Sequence, residues 1–403
     1  MKLEIKKGWA EGSVSAPPSK SMAHRSLICG AFSKGSEIKG VAMSEDIEAT
    51  LGCLRSLGAS VSVCEDTVYI GGMSLGSEDV TDELFCNESG STLRFLIPLC
   101  LISGKKIKFV GAKRLFERPL SIYESICQEQ GILFEKSENG LTVCGKLKSG
   151  NYRIRGDISS QFISGLLFAL PLLDGISIIE IIGKFESESY IDLTLQVLSE
   201  FGIKITRVGS RFIILGNQRY QSRDYTVEGD CSNAAFLQAL DFIGGKVTVE
   251  GISENTLQGD RVYNKIFASL ENGIREFDLS DCPDLAPILF AVSAVKGGAA
   301  FTGTARLKIK ESDRSEAMAQ ELKKLGIEVE VGENHVRVGS SPLKSPTEAL
   351  CGHNDHRIVM ALAVLCTLVG GEIEGAEAVA KSYPDFFDVI KKLKIGLEIY
   401  EDR

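Results

Sequence analysis

The chain has 403 residues, a formal charge of −9, and 44% hydrophobic against 25% charged residues, which gives a folded globular protein with room for two or three domains. The acidic balance excludes a broad basic face for nucleic acid or acidic membrane. No apolar run reaches the roughly 20 residues that cross a bilayer, "MKLEIKKGWAEG" lacks the apolar core of a signal peptide, and eleven scattered cysteines without a C-x-x-C pair suit free thiols in a reducing cytosol.

Taken in chain order, two kinds of element alternate. "PPSKSMAHRS" (17–26) is a polar loop that opens an apolar helix and sets Lys20, His24 and Arg25 at its start. A helix start already favours anions through its unpaired N–H groups and the positive end of its dipole, so cations added there form an anion trap. "LGCLRSLGASVSV" (51–63) follows as a polar helix, a glycine and an alternating strand. The loop type returns in "CNESGSTLRF" (86–95), "GDISSQFISG" (156–165), "GDCSNAAFLQ" (229–238), "LSDCPDLAPI" (279–288) and "GHNDHRIVMA" (352–361). The helix–glycine–strand type returns in "ESICQEQGILFEK" (124–136), "LQVLSEFGIKITR" (195–207), "FASLENGIREFDL" (267–279), "MAQELKKLGIEVEV" (318–331) and, more loosely, "VIKKLKIGLEIY" (389–400). Gly58, Gly131, Gly202, Gly273, Gly326 and Gly396 are predicted to take the left-handed position that ends each polar helix.

Six copies of strand, buried helix, strand, exposed helix and hairpin fill the chain at about 67 residues each. Three copies per domain predict two α/β domains of similar size, joined by one or two strand crossings. Helices such as "LLFALPLL" and "IVMALAVL" are apolar all round, so they belong in the domain centres. Their Ser- or Asp-capped starts then surround a cleft between the domains.

Cations collect at those starts or beside them: Lys20, His24, Arg25, Arg94, Arg114, Arg118, Lys310, Arg314, His356, Arg357 and Lys381. The collection points to small ligands carrying phosphates and carboxylates. Asp313 and Asp355 are assigned to orienting neighbouring Arg and His side chains, whereas Asp284 and Glu311 are the candidates for general acid–base work. His353 and His356 have metal-pair spacing but lack an evident third ligand, and no metal site is assigned.

Nine stretches, "PPSKSMAHRSL", "ESGSTLRF", "ERP", "GDISSQF", "SYIDLTL", "PDLAP", "KIKESDR", "NDHR" and "KSYPDFF", together resemble the motif set of the 5-enolpyruvylshikimate-3-phosphate synthase family, in order and across nearly the whole chain. The resemblance implies two inside-out α/β domains, each of three βαβαββ repeats, with the active site in the interdomain cleft. It implies one domain from residues 1–18 plus 229–403, with the N-terminal strand included, and a second from 19–228. The implied reaction moves the enolpyruvyl group of phosphoenolpyruvate to the 5-hydroxyl of shikimate-3-phosphate, with no metal or organic cofactor, in a monomeric cytoplasmic enzyme.

Carried over by motif, Lys20, Ser21, Arg25, Ser159, Ser160, Gln161, Ser187, Tyr190, Asp284 and Lys310 hold shikimate-3-phosphate. Lys20, Gly90, Arg118, Gln161, Arg314, Arg357 and Lys381 hold phosphoenolpyruvate. Glu311, Asp284 and Lys20 carry the proton transfers. Two departures stand out: Glu88 replaces the family's usual Asn, and "SESY" (187–190) replaces the common "SKPY", a change expected to loosen that loop. A sister family acting on UDP-N-acetylglucosamine uses a loop cysteine that "GAKRLFERP" (111–119) lacks.

Overall fold

The computed structural model describes residues 1–75 and 82–400. Two compact units emerge: a split unit, Met1–Pro17 with Gly229–Arg403, and a central unit, Pro18–Glu228. The chain passes from one to the other twice, at 17–18 and at 228–229.

In the central unit the predicted apolar helices are Lys20–Phe32 (α1), Gly90–Ser103 (α2) and Ser160–Ala169 (α3), each buried over nearly its whole length. Helix α2 runs along α3, and Gly165 allows the approach: a β-carbon there would strike the Tyr123 hydroxyl and the Arg94 carbonyl. Tyr123 Oη donates to those same helices, at 2.7 Å to Arg94 O and 3.1 Å to Phe162 O. Phe95, Phe162 and Phe168 fill the space between them, and each fully buried ring contributes about 1.5–3 kcal/mol.

Three four-stranded sheets enclose these helices, all with one order: two parallel strands, then an antiparallel hairpin. One is Glu83–Phe85, Ile107–Val110, Gly140–Cys144 and Leu133–Ser137. A second is Asn151–Arg155, Ile176–Ile182, Arg211–Leu215 and Ile205–Val208. The remaining sheet begins not with the strand before α1 but with Asp224–Thr226, from the far end of the unit. The strand that does precede α1, Glu11–Ser15, pairs with Lys246–Glu250 in the split unit. Each crossing of the chain therefore hands its leading strand to the other unit.

The split unit repeats the design around Cys231–Phe242 (α4), Ala286–Val295 (α5) and His356–Val369 (α6), which contact one another. Two departures from the six-copy reading occur here. "FASLENGIREFDL" forms no hairpin of its own, because its strand Glu276–Asp278 opens the next sheet; the Glu11–Ser15 sheet stays two-stranded. In the last copy the hairpin is completed by the N-terminal strand Lys2–Ile5, inserted between Gly371–Glu374 and Leu397–Tyr400. The helix-ending glycines Gly58, Gly131, Gly202, Gly273 and Gly326 all have φ between 70° and 90°. Gly396 does not; Lys394, at φ 67°, takes the left-handed position two residues earlier. Among the described residues no helix is long and apolar enough to cross a membrane, and all eleven cysteines are unpaired.

Candidate active site

Five of the six buried helices follow a Ser or Asp. Ser89, Ser159, Asp230 and Asp355 accept from the backbone N–H of Thr92, Gln161, Asn233 and Arg357. Helix α5 instead follows a 3-10 turn, Pro283–Leu285, which carries Asp284. These starts set the polar side chains of each unit.

In the central unit, Lys20 opens α1 and reaches Asp46 Oδ2 at 2.7 Å. One turn on, Arg25 is 2% exposed. Its guanidinium donates to Thr194 Oγ1 at 2.8 Å, Ser21 O at 2.7 Å and Tyr190 O at 3.0 Å, and lies 5.2 Å from the Phe95 ring centroid. All three acceptors are neutral. Burial accordingly pushes the Arg25 guanidinium down to about 10. His24 is held well below its ordinary value by burial, then by the charges of Lys20 and Arg25, so its ring is neutral; Nδ1 meets Thr50 Oγ1 at 2.8 Å.

A second cluster forms at the starts of α2 and α3. Arg94 Nη1 donates to Gln161 Oε1 at 3.1 Å, and Gln161 Nε2 donates to Ser91 Oγ at 3.0 Å. Gly90 makes room for two guanidinia: a β-carbon on it would sit 2.7 Å from Arg94 Nη1 and 2.9 Å from both terminal nitrogens of Arg118. Ser159 serves as the α3 cap and Ser160 begins that helix. Ser187, at φ 55°, starts the helix Glu188–Glu200 that carries Tyr190 and Thr194. At "SESY", Glu188 pairs with Arg207. Arg207 also reaches Asp192 at 3.0 Å and lies over Phe185 and Phe212.

In the split unit the predicted residues converge on one carboxylate. Asp284 Oδ1 accepts from Lys310 Nζ at 3.0 Å and Arg314 Nη1 at 2.8 Å, and Oδ2 from Arg357 Nη2 at 3.2 Å. Burial opposes its charge, but Arg357, Lys310 and Arg314 prevail and hold Asp284 well below the usual carboxylate range. Arg314, 1% exposed, also donates to Glu311 Oε2 at 2.9 Å and Asp355 Oδ2 at 2.9 Å. Although burial works against it, the three carboxylates, with Asp355 foremost, raise its proton affinity further. Burial lowers the Lys310 ammonium despite its Asp284 partner.

Lys381 Nζ donates to Asn354 O and Oδ1, both at 2.7 Å. Asn354 and His353 are consecutive left-handed residues, at φ 52° and 49°; for residues with a β-carbon this conformation costs about 1–2 kcal/mol each. Such a turn persists only when its surroundings hold it.

Some assignments change. Asp355 serves Arg314 across the unit as well as Arg357 N–H beside it, and Asp313 is the cap of the helix Arg314–Lys324. Arg114 stays on the surface beside Glu117 at 3.5 Å. His353 turns to Glu321 Oε1 at 2.9 Å, while His356 is buried in the first turn of α6. Among the described residues no group of three His, Cys, Asp or Glu is placed to hold a metal ion. Asp46, Thr194, Asn354 and Glu321 were not singled out from sequence: Thr194 and Asn354 lie inside quoted motifs, but the contact each makes is with a residue distant in the chain.

The sequence pattern of the family described as EPSP synthase (3-phosphoshikimate 1-carboxyvinyltransferase) matches residues 6–390. The chain belongs to this family. The 3-phosphoshikimate 1-carboxyvinyltransferase of Clostridium kluyveri is 44% identical over 97% of this chain and 96% of its own length. The enzyme of the same name from Clostridium botulinum strain Alaska E43 is 41% identical, with 97% of each chain covered. The solved EPSP synthase of Acinetobacter baumannii superposes with a TM-score of 0.78 at 22% identity, over 99% of this chain and 100% of that one, so the two share the family's fold.

Proposed function

We propose that the protein transfers the enolpyruvyl group of phosphoenolpyruvate to the 5-hydroxyl of shikimate-3-phosphate, releasing phosphate. The observation that carries the reading is the set of buried cations, built at the helix starts of a chain that matches this family over residues 6–390.

Shikimate-3-phosphate is assigned to Lys20, Ser21, Arg25, Ser159, Ser160, Gln161, Ser187 and Tyr190, with Asp284 and Lys310. The neutral surroundings of Arg25 support this, since a buried guanidinium without a carboxylate gains most from a phosphate dianion. Phosphoenolpyruvate is assigned to Lys20, Gly90, Arg118, Gln161, Arg314, Arg357 and Lys381. The space that Gly90 leaves beside two guanidinia supports it.

In the first step the 5-oxygen bonds to C2 of phosphoenolpyruvate, its proton passes to Asp284, and C3 takes a proton from Glu311. In the second, C3 returns a proton to Glu311 and the C2–oxygen bond to phosphate breaks; the phosphate leaves with the electron pair beside Lys20 and takes up the hydroxyl proton that Asp284 held, which restores both carboxyl groups. Asp284 is a weak base while three cations face it. Once Arg314, Arg357 and Lys310 turn toward substrate anions, its proton affinity rises, which couples base strength to occupancy. These steps use the chain's own acids and bases. The reading carries with it a monomeric enzyme, and the unpaired thiols suit the cytosol.

Phosphate release in the presence of phosphoenolpyruvate, with shikimate-3-phosphate and UDP-N-acetylglucosamine supplied separately, tests the reading. Release is expected with the first acceptor alone. Release with the second would move the chain to the sister activity.

A further inference from the structure

The turn that presents Lys381's partner is itself held from behind. Glu321, on the outer helix Arg314–Lys324, has a side chain only 1% exposed. Its carboxylate accepts from Cys351 N–H at 2.9 Å, His353 Nε2 at 2.9 Å and Lys324 Nζ at 3.0 Å. Burial favours its neutral form, but the His353, Cys351 and Lys324 donors outweigh this and keep Glu321 below the usual range. It is therefore an acceptor only, and His353 Nε2 carries the hydrogen. Two of the three bonds fall on the segment 351–354, which ends in the left-handed pair His353–Asn354. At the far side of that pair, Asp355 is fixed by Arg314. Clamped at both ends, the turn presents Asn354 O and Oδ1 together to Lys381 Nζ.

We infer that Glu321 and His353 are positioning residues for phosphoenolpyruvate: by holding the 351–354 turn they fix Asn354, and through it the place of the Lys381 ammonium. This rests on the assignment of Lys381 to phosphoenolpyruvate above. Neither residue touches substrate. Their effect falls first on the substrate that Lys381 meets, because the Glu321 bonds hold the 351–353 end of the turn, whereas Asp284, assigned to shikimate-3-phosphate, connects to the turn only at its far end, through Arg314 and Asp355.

Steady-state kinetics of a double-mutant cycle on the full chain tests the inference. Lys381→Met is expected to raise KM for phosphoenolpyruvate strongly. Glu321→Gln, which keeps the shape but loses the charge, is expected to raise that KM about tenfold while KM for shikimate-3-phosphate stays within about twofold. In the Lys381→Met background the same change is expected to move KM by less than about twofold. Should Glu321→Gln fail to fold, His353→Ala replaces it, since that side chain is 23% exposed beside a solvent-reached cavity of about 540 Å³ and its loss leaves the core intact. Equal rises in both backgrounds, or in both substrates' KM, would overturn the inference and leave Glu321 a fold residue. If Lys381→Met alone left KM for phosphoenolpyruvate unchanged, the Lys381 assignment would fall, and the clamp's role with it.

Discussion

Replacing Arg25 by Met separates what the site costs from what it binds. Burial takes the Arg25 guanidinium from its ordinary 12.5 to about 10, and at about 1.36 kcal/mol per tenfold in proton affinity the empty protein holds this charge against about 3 kcal/mol. Stacking on Phe95 at 5.2 Å returns about 1 kcal/mol. The acceptors Arg25 leaves behind keep other partners: Tyr190 O takes Thr194 Oγ1 at 2.9 Å, Thr194 Oγ1 meets Ser164 Oγ at 2.7 Å, and Ser21 O retains its helical N–H. Met fills much of the same volume. Ligand-free Arg25→Met is therefore expected to be more stable than wild type by about 2 kcal/mol, a rise of roughly 4–8 °C in thermal midpoint if the central unit, Pro18–Glu228, melts as its own cooperative unit. Its affinity for shikimate-3-phosphate is expected to fall by about 10² to 10³, the loss of one desolvated charge pair. Calorimetric melting and titration calorimetry read the two effects separately. A lower midpoint with unchanged affinity would refute the argument, making Arg25 a structural residue rather than a waiting charge.

Three further outcomes are expected. Glu311→Gln should bind shikimate-3-phosphate normally, yet lose about two to four orders of magnitude in turnover and, in heavy water, in deuterium uptake at the methylene of phosphoenolpyruvate; normal exchange would remove Glu311 as the C3 donor. Gly90→Ala should raise KM for phosphoenolpyruvate about tenfold with little change in melting, because its β-carbon meets the guanidinium ends of Arg94 and Arg118 rather than backbone. Asp284, Asp355 and Glu321 are all held below their ordinary range, so the stability they contribute is complete above about pH 5 and fades as pH falls through about 4 toward their folded values. The melting midpoint should drop steeply across that window, and Asp355→Asn should flatten the drop; a profile level from about pH 5 to pH 3 would contradict this sign.

The repeat was legible because its physics is local. Gly58, Gly131, Gly202, Gly273 and Gly326 each sit where a helix must reverse into a strand, and the positive φ there marks the copy. Lys394 escaped notice because a lysine can occupy the same conformation once the neighbouring strands fix the turn. The exchange of leading strands between units was not visible in the repeat itself, since Glu11–Ser15 and Asp224–Thr226 look alike as short edge strands. Residues inside dense motifs could be named from the sequence, and the structure brings Asp284, Arg314 and Arg357 together. The partners that hold them were harder to name, because Thr194, Asn354 and Glu321 act through contacts 27 to 169 residues distant that no single motif spans.

The most direct test of the reaction follows one atom. With phosphoenolpyruvate carrying ¹⁸O at the oxygen that bridges carbon and phosphorus, a single turnover with shikimate-3-phosphate is run and both products are analysed by mass spectrometry. Addition and elimination at C2 break the carbon–oxygen bond, so the label is predicted in the released inorganic phosphate, with an unlabelled enolpyruvyl ether on the sugar phosphate. Label retained in the three-carbon product would mean that the phosphorus–oxygen bond had broken instead, and would contradict enolpyruvyl transfer.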